Sequence, residues 1–105
     1  MDIESLKARF RKYKKEDIII LPHAKIQALV RDIDLKEVKE NIIKPGKLVY
    51  AEKQESKKPN EEKYNCYFAY SKSLCHRYVL TINRKVIIVT IIKINRDWQR
   101  IVEKR

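Results

Sequence analysis

Residues 86–94 read Val86-Ile87-Ile88-Val89-Thr90-Ile91-Ile92-Lys93-Ile94. Eight of the nine are β-branched, and such side chains are stiff at χ1 and fit a pleated surface better than a helix. The stretch therefore predicts a strand. Its near-continuous apolar character predicts burial on both faces, at the centre of a sheet. The run from Val86 to Ile92 is interrupted by Thr90 and ends at Lys93, far short of the ~20 residues a bilayer-spanning helix needs. Working back from Val86, Asn83-Arg84-Lys85 predicts a tight turn. Before it, His76, Tyr78, Leu80 and Ile82 alternate with Arg77, Val79 and Thr81, which is the period of a strand. Tyr64, Cys66, Phe68 and Tyr70 alternate with Asn65, Tyr67 and Ala69 in another, with an aromatic face. Lys53 to Lys63 (KQESKKPNEEK) carries no apolar residue and predicts a mobile loop. Leu48 to Ala51 predicts the first strand of an antiparallel meander of about four. On the other side of the run, Asp97 caps a short helix with Trp98, Ile101 and Val102 inward and Arg100, Lys104 and Arg105 outward.

Ahead of Gly46 the period is 3.6. Ile3, Leu6, Phe10 and Tyr13 share one face of a helix over residues 2–15, with Asp2 as its cap, in a basic N-terminal segment of residues 1–16. Ile18 to Leu21 is too short to classify. Pro22 suits the first position of a helix, and Ile26, Leu29, Val30 and Ile33 follow the one-face template of an amphipathic helix that runs to about Asp32. Asp34 and Glu37 form a capping-box pattern for a helix with Leu35, Val38 and Ile42 in period, stopped by Pro45-Gly46. The expected architecture is one α+β domain over residues 1–105, with N-terminal helices packed on one face of a roughly four-stranded antiparallel sheet and a short C-terminal helix. There is no internal repeat.

At 105 residues and 44% apolar, the chain suffices for a single core burying roughly 60–70% of the unfolded surface. The 25 Lys and Arg against 14 Asp and Glu give a net charge of +11. An anionic partner follows, and a nucleic-acid backbone is the commonest one for a small basic domain; general solubility or an acidic protein partner are the rival readings. The first residues, Met1-Asp2-Ile3-Glu4, do not read as a secretory signal, so a cytoplasmic location is expected. Cys66 and Cys75 lack CxxC spacing and read as buried free thiols, with neither a zinc site nor a disulfide framework. Lys7, Arg9, Arg11, Lys12, Lys14 and Lys15 crowd the polar face of the first helix. Of these, Lys7, Arg11, Lys12, Lys14 and Lys15 are candidate phosphate contacts, with Tyr70 and Tyr78 as candidate stacking platforms for bases.

A single glycine leaves no phosphate-cradling loop, and the metalloprotease and serine-hydrolase signatures are missing. No metal or cofactor is expected. The remaining His, Arg, Lys, Tyr and Thr suit metal-independent RNA cleavage, in which a base takes the 2′-hydroxyl proton, a cation holds the phosphate and an acid protonates the leaving oxygen. Leu21-Pro22-His23-Ala24, then Arg31-Asp32-Ile33-Asp34 and Val38, then Ile43-Lys44-Pro45, resemble the opening of a RelE-like domain family, a branch of the barnase/RelE toxin superfold that carries a domain of unknown function. There an HA pair opens a helix, an arginine closes it and a short helix ends at a proline. The strand with Arg77 and Tyr78 and the stretch Val86-Ile87-Ile88-Val89-Thr90 extend the resemblance over about residues 18–94. Arg31-Asp32-Ile33 departs from the family's usual RGI, and the basic N-terminal helix lies outside the pattern. The resemblance implies a metal-independent endoribonuclease of toxin type, acting on RNA or ribosome-bound RNA and neutralised by a small antitoxin protein. His23 is then the expected general base or acid, its charged form disfavoured at a helix start, with Arg31 and Arg77 on the phosphate and Thr90 in support. His76, on the opposite face of its strand from Arg77, reads as a surface residue near the strand end. A non-catalytic nucleic-acid-binding module and an interaction protein with an acidic partner are the alternatives.

Overall fold

The change of period near Gly46 is where the chain passes from helices to sheet. The computed structural model describes residues 2–103; the outward Lys104 and Arg105 expected of the last helix lie outside them. Helix α1 spans Ile3–Phe10, strand β1 Ile18–Ile20, α2 Pro22–Val30, α3 Leu35–Ile43, β2 Leu48–Gln54, β3 Glu62–Ser71, β4 Leu74–Ile82, β5 Val86–Ile94 and α4 Trp98–Glu103. The sheet is five-stranded in the order β1-β5-β4-β3-β2. The meander β2–β5 is antiparallel, as expected. Ile18–Ile20, too short to classify by period, adds a parallel strand on β5, with Ile18 opposite Val86 and Ile20 opposite Ile88. The sheet is thus mixed and has one strand more than the four expected. No helix among the described residues is long and apolar enough to cross a membrane.

The main core lies between α1, α3 and one face of the sheet. Leu6 and Phe10 of α1, Val38 and Ile42 of α3, and Leu48, Cys66, Phe68, Tyr78, Leu80, Ile88 and Ile91 of the strands are all buried in it. A smaller cluster lies on the opposite face, where Trp98, Ile101 and Val102 of α4 pack on Tyr67, Cys75 and Ile94. Not all helices therefore share one face. The two cysteines are buried and free, on opposite faces of the sheet.

In three places the chain departs from its local expectation. First, α1 stops at Phe10 rather than continuing to residue 15. The amides of Lys12 and Tyr13 tighten onto Arg9 and Phe10 carbonyls, and Lys14 is extended, its N–H donated to Asp17 Oδ2 at 2.9 Å. Second, the predicted loop shrinks to residues 55–61, because β2 and β3 extend their ladder to Gln54 opposite Lys63. Third, α2 is inside out relative to the amphipathic template. Ala24 and Ala28 are fully buried, whereas Ile26, Leu29 and Val30 are 61%, 81% and 75% exposed. The helix lies against the edge of β5 that β1 leaves uncovered. Leu21 N–H bonds Ile88 O at 3.1 Å, Gln27 Oε1 accepts the Ile91 N–H at 2.8 Å and Lys93 Nζ reaches Arg31 O at 3.4 Å. A helix backbone this close to a strand edge leaves room only for small residues, which selects the alanine face.

Candidate functional site

The sheet face away from the main core is the one with free polar side chains. Along β4, Arg77, Val79 and Thr81 point to it. Along β5 the alternation is broken by a bulge: Val79 faces Thr90 while Leu80 faces Ile88, so Val89 is the extra residue. Without the bulge, Thr90 would share the buried face of Val86 and Ile88. The bulge turns it to the open face, beside Val79 and diagonal to Arg77, the kind of re-aiming that such irregularities produce.

Arg77 is half-buried, flanked in register by Tyr67 and Ile92, and its Nε is buried without a hydrogen-bond partner. It lines a cleft of about 470 Å³ with Ile92, Lys93, Ile94, Asn95, Arg96 and Ile101. Arg96 and Ile101 are shared with an adjoining cleft that also contains Asp97 and Arg100. Towards the other end of the same face, Thr81, Ile87 and Val89 floor a third cleft of about 560 Å³, walled by Leu21, Lys63 and the β2–β3 loop with Lys57 and Lys58. The open face is therefore a track between α4 and the β2–β3 loop. Its cations are Lys57, Lys58, Lys63, Arg77, Arg96 and Arg100, and the acids lining the same clefts are Glu55, Glu61 and Asp97; Lys93, in register with His76, turns its ammonium to α2 on the other face.

The other residues expected at a site are distributed differently. His23 and Ala24 open α2 and Arg31 is its C-cap, donating from Nη1 to Gln27 O at 3.4 Å. His23 is solvent-exposed, two residues past Leu21 and so level with the Ile88 end of β5. Arg77 is level with Ile92. That separation is about 10 Å along the strand, with the width of β5 added, and His23 and Arg31 are themselves about 12 Å apart along the helix axis. The structure brings Arg77 and Thr90 together and leaves His23 and Arg31 outside that pair. On the helix side of the sheet, Lys7 lies 3.8 Å from Glu4 and Lys15 lies 3.5 Å from Glu40, while Arg11, Lys12 and Lys14 are exposed.

The two tyrosines proposed as stacking platforms belong to a buried polar network instead. Asn41 Nδ2 donates to the hydroxyls of both Tyr70 and Tyr78 at 2.9 Å, Tyr70 donates to Glu37 Oε2 at 2.6 Å, and His76 Nδ1 lies 2.9 Å from the Tyr78 hydroxyl. Tyr78 is fully buried, so its ring offers no face to a base. Tyr70 is half-buried, with the His76 ring 4.5 Å away on one side and the Lys47 ammonium 5.2 Å from its ring centre. His76, expected at the surface, is only 3% exposed. Burial pushes its pKa down, against the pull of the Glu37 carboxylate and with help from Lys93. Burial, reinforced by Glu37, drives the Tyr70 phenol well above its usual range. Glu37 and Asn41, one helical turn apart on α3, are the sequence signal that would have found this network. The lysines of the 55–61 loop and Arg96 were equally visible as charges, but nothing in their spacing says that they border one face.

Among the described residues no group of three or more His, Cys, Asp and Glu side chains is arranged to hold a metal ion. Comparison with known proteins finds no matching family model, no matching curated protein and no matching solved structure.

Proposed function

We propose that the protein binds RNA along the open face of its sheet, with the phosphate backbone following the cations between α4 and the β2–β3 loop. The observation that carries this reading is Arg77: a half-buried arginine on a strand of the open face, lining a cleft with Arg96. A guanidinium held by its strand is pre-organised to meet a phosphate through two donors. The net charge of +11 supplies the long-range attraction.

Metal-independent cleavage on that face is the second reading, favoured by the β5 bulge that turns Thr90 towards Arg77. In it Arg77 holds the scissile phosphate, Thr90 supports it, and His23 and Arg31 reach the strand only from the edge of β5. A toxin role on a RelE-like domain, with an antitoxin, belongs to this second reading. Support for the kinship is local: the HA pair opens α2, Arg31 closes it and Pro45 follows α3.

Labelled mixed-sequence RNA, incubated with the protein in EDTA and followed both by fluorescence anisotropy and on a denaturing gel, separates the readings. Binding without cleavage, weakened by Arg77→Ala, is the expected result. Cleavage abolished by His23→Ala would move the assignment to the ribonuclease. Binding indifferent to Arg77→Ala would sink the open-face assignment.

A further inference from the structure

Helix α2 presents its apolar stripe to solvent. Ala24 and Ala28 face the sheet, and Ile26, Leu29 and Val30, at helical spacing, face away from it. Ile19 on the edge strand β1 and Leu21 at the helix entrance add to them: of the six exposed large hydrophobic residues in the described chain, these five fall within residues 19–30. Together they expose on the order of 500 Å² of apolar surface, at the upper end of what a monomer leaves in one place. An amphipathic helix normally turns such a stripe to a core, and here the main core is complete without it.

We infer that this face is a docking surface for an acidic amphipathic helix of another protein. Three observations select that occupant. Beside Ile19 the surface is concave: Ile18, Ile19, Ile20 and Leu35 form a cleft of about 420 Å³ rimmed by Lys25, Lys36 and Lys39, with no acid among its lining residues. A cleft of that size accepts the apolar anchors of a helix, in the helix-in-groove mode, whereas a bilayer surface cannot enter it. The three lysines require negative charge on whatever lies across them. A second copy of this chain meets neither condition. Two molecules at +11 related by a two-fold axis would oppose the same lysines, and the patch falls short of the ~800 Å² per partner of a standard stable interface. Carboxylates flanking the apolar residues of a helix satisfy both the charge and the area, because a helix can extend past the patch along the rim. The surface lies at the β1 edge, away from Arg77 and α4 and meeting the open face only at Leu21, so it goes beyond the RNA-binding reading and does not depend on it.

The probe is a fluorescein-labelled designed helix with leucines at i, i+3, i+4 and i+7 and glutamates at most other positions, read by anisotropy against nuclease-treated protein. The expected result is saturable binding that Leu29→Ser with Val30→Ser weakens by about tenfold or more, that Lys25→Glu with Lys36→Glu and Lys39→Glu also weakens, and that a scrambled peptide of the same composition does not reproduce. The substituted residues are exposed or at a rim, so circular dichroism should report unchanged folding, and RNA binding should be unaffected by the Leu29 and Val30 changes. No binding, or equal binding of the scrambled peptide, overturns the inference. So does a wild-type dimer in sedimentation that Leu29→Ser with Val30→Ser dissociates, which would make the second copy the occupant. Patch-dependent binding to phosphatidylserine vesicles in place of the peptide would assign the face to a membrane.

Discussion

Asp32 is the one described non-glycine residue with a positive φ, at 56°, and the reason lies in the backbone around it. Its N–H bonds Leu29 O at 3.2 Å and the next N–H, of Ile33, bonds Ala28 O at 2.8 Å, the paired bonds that close a helix through a left-handed residue. Glycine takes that conformation without steric penalty, whereas a residue with a Cβ is strained there by about 1–2 kcal/mol. Asp32→Gly should therefore stabilise the protein by up to about 1 kcal/mol, read as a raised denaturation midpoint at unchanged slope. At His76 the argument concerns protons. Its folded pKa is depressed from 6.5 by burial, so the unfolded chain binds more protons than the native one as the pH falls through that value. Stability is full above the unfolded pKa and declines below it. Chemical denaturation should show stability falling as the pH drops below about 6.5, with the slope reduced in His76→Gln even if that variant is less stable throughout. Asp2, Asp17 and Glu62, whose carboxyls are held below their usual range by hydrogen bonds and cations, contribute losses only at lower pH.

At the scale of elements, α2 substitutes for a strand. β1 covers three residues of β5, and beyond Ile88 the Gln27 side chain takes the place of a strand carbonyl by accepting the Ile91 N–H. Removing that acceptor strands a backbone donor beside the core, at a cost of about 1–3 kcal/mol. Gln27→Ala should destabilise by that amount and speed amide exchange at Ile91 selectively. Ala28→Leu should cost a similar ~1–3 kcal/mol by overpacking the same junction. The meander strands were legible because alternation along β3 and β4 and the β-branched run of β5 are local signals, whereas the three-residue β1 was too short to show a period, and α3 was legible from Asp34, Glu37 and the stop at Pro45. The orientation of α2 was not. Period identifies an apolar face but not what it meets, and the small residues that mark the buried side look unremarkable in sequence when a strand edge supplies the close contact. Thr90 was singled out by the resemblance, but the face it points to was not legible, for a related reason. Its facing depends on the bulge at Val89, and nothing in Val86–Ile92 distinguishes the extra residue. Arg77 needed no irregularity, and simple alternation already separated it from the core.

For the molecule as a whole, the question is on which side a charge of +11 is used. The lysines at the end of α1 and in the turn after it lie on the helix side of the sheet, partly engaged by Glu4 and Glu40. Lys57, Lys58 and Lys63 border the open face. Net charge alone steers RNA towards both sides equally, so affinity measured at one ionic strength would not tell them apart. The salt dependence does, because each phosphate that the protein ceases to neutralise lowers the slope of log K against log salt by about 0.7 for a single strand. Lys57→Glu with Lys58→Glu and Lys63→Glu should flatten the slope measured between about 50 and 200 mM salt by the equivalent of two or more phosphates. Lys12→Glu with Lys14→Glu should leave the slope nearly intact while slowing association through the weaker overall field. The reverse ranking would assign the backbone track to the N-terminal segment and leave Arg77 as a structural residue of the sheet. Because both sets are surface lysines away from the core, either ranking can be read on folded protein.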